Sequence, residues 1–179
     1  MMDRASPPRS RVRAALLAGS IAIVVNTLAL KAADIIPLAT AKGGLLRLLT
    51  LWLSPLVAGA GLDSMWSAVG GPTPSSPIFQ TGFHLLVGIL MALVYAYVVE
   101  PALPRSAAFK GWTCAVAVWL LNAIVVLPAT GEGFAGSTHL TFAGIAWYAA
   151  AHTLFFMILA LTYAALRRSI TFAAQADAK

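Results

Sequence analysis

The chain has 179 residues, of which 60% are hydrophobic and 10% charged, with a formal net charge of +6 and a mean hydropathy of +0.84. A soluble domain carries about 25% charged residues, so a water-soluble globular fold is excluded, and the length admits a single membrane domain, 1–179, with no soluble second domain. The positive charges cluster at the ends of apolar runs, where they act as a topology signal and give no case for nucleic-acid binding.

Four apolar runs, at about residues 12–36, 77–100, 108–127 and 141–167, each match the ~20 residues a helix needs to cross a hydrocarbon core ~30 Å thick. Backbone in lipid must satisfy its own hydrogen bonds, and barrel strands would be shorter and alternating, so the runs predict helices. The expected fold is all-α: a four-transmembrane-helix bundle with an additional interfacial or re-entrant helix in the first outer loop.

In chain order, residues 1–10 read as a disordered tail. The first span follows Arg4, Arg9 and Arg11. It resembles a signal peptide, but Leu30-Lys31-Ala32-Ala33 puts lysine where cleavage wants a small residue, so a retained helix is expected, closed by Pro37. Residues 43–57 are apolar but too short to span, and predict the interfacial or re-entrant helix, with Trp52 as anchor and Arg47 snorkelling to the headgroups. Residues 59–77, rich in Gly, Pro and Ser, read as an irregular loop. Ser76 and Pro77 mark an N-cap and first helical position for the second span, which ends at Glu100-Pro101 and Pro104. Pro128 and Gly131 end the third. The fourth begins near Thr138 or Thr141 and ends in Arg167-Arg168, with a second disordered tail at 172–179.

Small residues recur every four positions: Ala14, Ala18 and Ala22; Gly88, Ala92 and Ala96; Ala160 and Ala164. Such stripes let helices approach closely in lipid, within one bundle or across a dimer seam. The single cysteine, Cys114, can form no intramolecular disulfide and no CxxC site, and reads as a small packed residue.

Arg105 and Lys110 lie between spans two and three, and Arg167, Arg168 and Lys179 follow span four, whereas the other loops hold only Lys42 and Arg47. The positive-inside rule then predicts both termini in the cytoplasm, in a multi-pass protein of a bacterial inner membrane.

Intramembrane polar residues gather in the outer half. Lys31 and Asp34 end span one, His84 opens span two, Asn122 lies just outside the middle of span three, and His152 lies near the middle of span four. These five form the candidate cluster. Thr27, Lys31 and Asp34 share one face, and Gln80, His84, Gly88, Met91 and Tyr95 another. Facing inward, the two stripes would line a polar pocket in which Lys31 and Asp34 pair. The competing reading is structural: Lys31 and Asp34 at the interface, His84 and His152 packed, Asn122 in an interhelical hydrogen bond. Tyr95, Trp112, Trp119, Trp147 and Tyr148 read as belt or packing aromatics, and Glu100 as solvated.

The segment 83–104, FHLLVGILMALVYAYVVEPALP, resembles the second core helix of the YagU-like family of bacterial inner-membrane proteins, in its outer histidine (His84), later tyrosine (Tyr95) and inner acid (Glu100). Lys110-Gly111-Trp112, Pro128, His152, Arg167-Arg168 and the Lys31-to-Pro37 stretch extend the resemblance over most of 15–168, the outer loop departing most. It implies a four-helix inner-membrane fold and supplies no reaction.

The expected function is that of an accessory, scaffold or interaction protein, with membrane lipids and a homo-oligomer or larger membrane complex as partners. The alternative is a small transporter, channel or proton-handling protein in which His84 and His152 titrate. A haem held by His84 and His152 is a third reading. No CxxCH or HExxH spacing and no nucleophile–base pair occurs, so no metal, resident cofactor or enzymatic activity is predicted.

Overall fold

The computed structural model describes residues 8–41 and 43–176. Arg4, Lys42 and Lys179 of the charge argument, with the rest of 1–7 and 177–179, lie outside them. Regular structure among the described residues is helical: α1 (Pro8–Ile35), α2 (Gly44–Gly59), α3 (Leu62–Ala68), α4 (Pro77–Ala102), α5 (Ala107–Ala129) and α6 (Phe142–Ala176), with a 3-10 turn at Phe134–Gly136. Helices α1, α4, α5 and α6 are long and apolar enough to cross a membrane, with mean hydropathies of 1.8, 2.1, 1.9 and 1.8. This is a multi-pass helical membrane protein.

Local sequence explains the ends. Ser76 accepts from the Phe79 amide with Pro77 in the first turn of α4, Ser106 does the same for Phe109 in α5, and the Thr141 hydroxyl accepts from Gly144 ahead of α6. Three expectations need correction. Helix α1 already begins at Pro8, since proline is tolerated in a first turn. Helix α6 runs past Thr171 to Ala176, through the strong helix formers Ala and Gln. The Gly59–Pro77 stretch is not wholly irregular: Leu62–Ala68 is helical, entered through Gly61 at φ 67° and with Asp63 in its first turn. Its axis is bent 88° from that of α2.

Prolines 101 and 128 do not stop their helices at once. Each follows a wide π-type turn, Tyr95–Val99 in α4 and Asn122–Val126 in α5, ending two residues before the proline. A proline ring collides with the carbonyl four residues earlier, and widening the preceding turn moves that carbonyl away.

Helices α1 and α6 form the centre, α4 packing on α1 and α5 on α6. Neighbours are antiparallel: Ser10 meets Arg167 near one end of the α1–α6 pair, and Ala29 meets Trp147 near the other. Backbone contact between α4 and α5 is sparse by comparison. Small residues are inside and large ones outside: Ala14, Ala18, Ala22, Ala92, Ala96 and Ala160 are fully buried, whereas Leu17, Leu28, Val98 and Leu161 are exposed. Lipid tails are as apolar as leucine, so helix association relies on close backbone approach. A Cβ on Gly88 would lie 2.8 Å from Ile23 Cβ, and one on Gly111 2.9 Å from the Phe156 carbonyl. The stripes of α1 and α4, and Ala160 of α6, are thus buried within one chain, while Ala164 is half-buried.

Candidate functional site

The side chain that organises the interior is Asn26, only 2% exposed. Its amide nitrogen donates to the Ala151 carbonyl on α6 at 2.7 Å. The amide oxygen therefore faces His84 Nε2 on α4, at 2.9 Å, and since that oxygen only accepts, Nε2 carries the proton. One residue of α1 thus ties α4 and α6 together. On the other side, Asn122 of α5 donates to Val118 of its own helix at 2.9 Å and accepts from the Tyr148 hydroxyl of α6 at 3.4 Å. His152 Nδ1 donates to the Tyr148 carbonyl at 2.9 Å, and the two rings lie 4.3 Å apart.

Between these groups lies a partly open cavity of about 140 Å³, lined from all four spans and by Leu45 of α2. Asn26, His84, Asn122, Tyr148 and His152 supply its polar wall, and no carboxylate, lysine or arginine lines it. Towards the other membrane face it meets Phe155 and Phe156, both buried and edge-to-face at 4.9 Å, with Leu159 fully buried one turn further. The cavity is small beside the ~300 Å³ and more of pockets for drug-sized ligands, so it lends the haem reading no support.

Of the five candidate residues, His84, Asn122 and His152 line one cavity. Lys31 and Asp34 do not; both are exposed on α1. Lys31 lies five residues beyond Asn26, roughly 140° around the helix, so it turns away from the face that Ala14, Ala18, Ala22 and Asn26 define. Thr27 bonds back to Ile23 of its own helix. Asn26 itself escaped the sequence reading, although it continues that alanine stripe at the same spacing of four. Tyr148, read as a belt or packing aromatic, belongs to the cavity wall.

Two polar clusters lie outside the cavity. Beside it, Glu132 in the loop before α6 accepts from Arg47 of α2 and, at 2.7 Å, from His139 Nδ1. Burial tends to raise the Glu132 carboxyl's pKa, but hydrogen bonds and charge from Arg47 and His139 outweigh it and hold the group below the usual glutamate range. This cluster fastens the start of α2, where Leu45 touches the cavity and Gly43 takes φ 68°. At the opposite end, Lys110 is 6% exposed. Its Nζ lies 2.7 Å from Glu100 Oε2 and donates to the Glu100 carbonyl at 3.1 Å, and the Tyr95 hydroxyl donates to the same carboxylate at 3.4 Å. Glu100 is therefore engaged across α4 and α5 instead of simply solvated. Among the described residues no three His, Cys, Asp or Glu side chains converge as a metal site.

Comparison with known proteins returns no match: no family model fits the chain, and no curated protein or solved structure is significantly similar to it.

Proposed function

We propose that this chain is an accessory or scaffold protein of a bacterial inner membrane, both termini cytoplasmic, working through contacts with lipids and with other copies or a larger membrane complex. The observation that carries this reading is the use of Asn26, His84, Asn122, Tyr148, Lys110 and Glu100 in helix–helix ties. Asn26 joins α1, α4 and α6, Tyr148 and Asn122 join α6 to α5, and Lys110 and Glu100 join α5 to α4. A conduction path needs polar groups that continue across the membrane, and here Phe155, Phe156 and Leu159 interrupt them. Arg11, Arg13, Arg105, Lys110, Arg167 and Arg168 favour the cytoplasmic side for both termini. Helices α2 and α3 expose Leu51, Trp52, Leu56, Met65 and Trp66, which suits an interfacial or re-entrant element. Kinship with the YagU-like family rests on His84, Tyr95, Glu100 and the Lys110-Gly111-Trp112 entry, and belongs to the same proposal.

Native mass spectrometry of the protein released gently from its host membrane tests the function. A foreign subunit at fixed ratio is the expected result. Bare chains, together with a proton or solute flux in liposomes that His84→Ala or His152→Ala abolishes, would replace this reading with the transporter alternative, which the histidine-lined cavity favours. Fusions of a cytoplasm-active and a periplasm-active reporter to each terminus test the orientation.

A further inference from the structure

Beyond that role, we propose that the cavity between α4 and α5 is a binding site for a neutral hydroxylated ring, a phenol or hydroquinone headgroup, admitted from the side through the gap between these two helices.

The chemistry follows from the atoms left over after the internal hydrogen bonds are made. His152 uses Nδ1 as donor to the Tyr148 carbonyl, so its neutral ring has a lone pair on Nε2. His84 uses Nε2 as donor to Asn26, so its lone pair is on Nδ1. Asn122 Oδ1 already accepts from the Tyr148 hydroxyl. The unused capacity in the polar wall includes these two imidazole acceptors and a second amide N–H on each of Asn26 and Asn122, so it calls for a ligand that both donates and accepts, as a phenolic hydroxyl does. No carboxylate, lysine or arginine lines the cavity. A cation would find no countercharge there and an anion no positive partner, so the ligand is neutral.

Size and shape narrow it further. About 140 Å³ is close to the ~150 Å³ of a cavity that holds one benzene ring. The remaining wall supplies ring faces and soft apolar groups, from Tyr148, Phe155, Phe156 and Met91, which suit an aromatic body. The entry we assign follows the packing: α4 and α5 both line the cavity but share few backbone contacts, and the Lys110–Glu100 tie that joins them lies outside its lining, whereas the pairs α1–α4, α1–α6 and α5–α6 are closely packed. A headgroup on a lipid tail and a free phenol share this chemistry.

The test is calorimetric titration of the full chain in lipid nanodiscs with 4-methylphenol, 4-methylanisole and decyl-hydroquinone. The expected result is saturable binding of 4-methylphenol, with 4-methylanisole weaker by about ten-fold because it has no proton to donate. His152→Phe keeps a ring but removes the acceptor, and should shrink that preference. Val118→Phe should fill the cavity and abolish binding. Decyl-hydroquinone binding at least as tightly as 4-methylphenol assigns the site to a tailed lipid headgroup. Binding of 4-methylphenol alone assigns it to a free phenol. Absence of binding, equal binding of the phenol and its methyl ether, or binding undiminished in Val118→Phe each overturns the proposal. The ligand comparison in the unaltered protein decides it even if a variant fails to fold.

Discussion

Replacing Asn26 with alanine isolates the interaction on which three helices depend. Alanine continues the Ala14, Ala18 and Ala22 stripe without a clash, so the close approach of α1 to its neighbours is kept. What is lost is the 2.7 Å bond to the Ala151 carbonyl and the 2.9 Å bond from His84. Interhelical hydrogen bonds in membrane proteins contribute about 0.6 kcal/mol on average and at most ~1.7, so two of them set a loss of about 1–3 kcal/mol. His84 adds a means of separating the terms: in His84→Phe the second bond is already gone, so Asn26→Ala should then cost less, by about 0.5–1.5 kcal/mol of coupling. Equilibrium unfolding in mixed micelles of increasing SDS fraction, followed by far-UV circular dichroism, measures all four proteins of the cycle. A loss below about 0.5 kcal/mol in the single variant, or no coupling to His84, would refute the claim that Asn26 holds the bundle together.

Gly111→Ala should destabilise by about 1–3 kcal/mol, because the added methyl meets the Phe156 backbone carbonyl and α5 must move off α6; the same SDS titration reads it, and an unchanged midpoint contradicts the packing. Lys110→Met leaves Glu100 without its cation and should cost about 1–3 kcal/mol, discounted because the Glu100 side chain is 31% exposed. Adding Glu100→Gln should recover part of that loss, and a double variant weaker than Lys110→Met would count against the pair. Glu132→Gln should loosen the start of α2, seen as faster amide hydrogen exchange at residues 44–50 with no change in α6. For pH the sign is fixed by the lowered Glu132 pKa. Its stabilising contribution is present above the ordinary glutamate value of about 4.3 and is lost as pH falls through the lower folded value. Exchange at residues 44–50, corrected for its intrinsic pH dependence, should therefore stay slow from neutral pH to below that value and rise only in stronger acid. A rise already between pH 7 and about 5 would refute control by the Glu132 carboxylate.

Much of the helix placement was legible in the residues. Ser76-Pro77 opens α4 as its cap chemistry requires, and the alanine stripes mark buried faces. His84, Asn122 and His152 stood out because polar groups in an apolar run need partners, and they do meet at one cavity. Lys31 and Asp34 stood out for the same reason but lie outside it, exposed near the end of α1, where a charged group can reach the headgroups and water. Asn26 was hidden because asparagine in an alanine stripe looks like one more small residue until its neighbours are known. Leu62–Ala68 was obscured by the Gly, Pro and Ser around it, and its start shows no capping side chain, only Asp63 in the first turn behind a left-handed Gly61.

The sequence by itself determined that four helices are long and apolar enough to cross a membrane and roughly where each lies, although α1 begins earlier and α6 ends later than the apolar runs imply. Lipid offers the backbone no hydrogen bonds, so every crossing segment must announce itself as a long apolar run. Only the tertiary structure decided which polar residues face one another, because that depends on the rotation of each helix about its axis. One residue changes that rotation by about 100°, and the wide turns before Pro101 and Pro128 shift it again within α4 and α5. Apolar runs are insensitive to such shifts. The meeting of Asn26, His84, Asn122, Tyr148 and His152 depends on them.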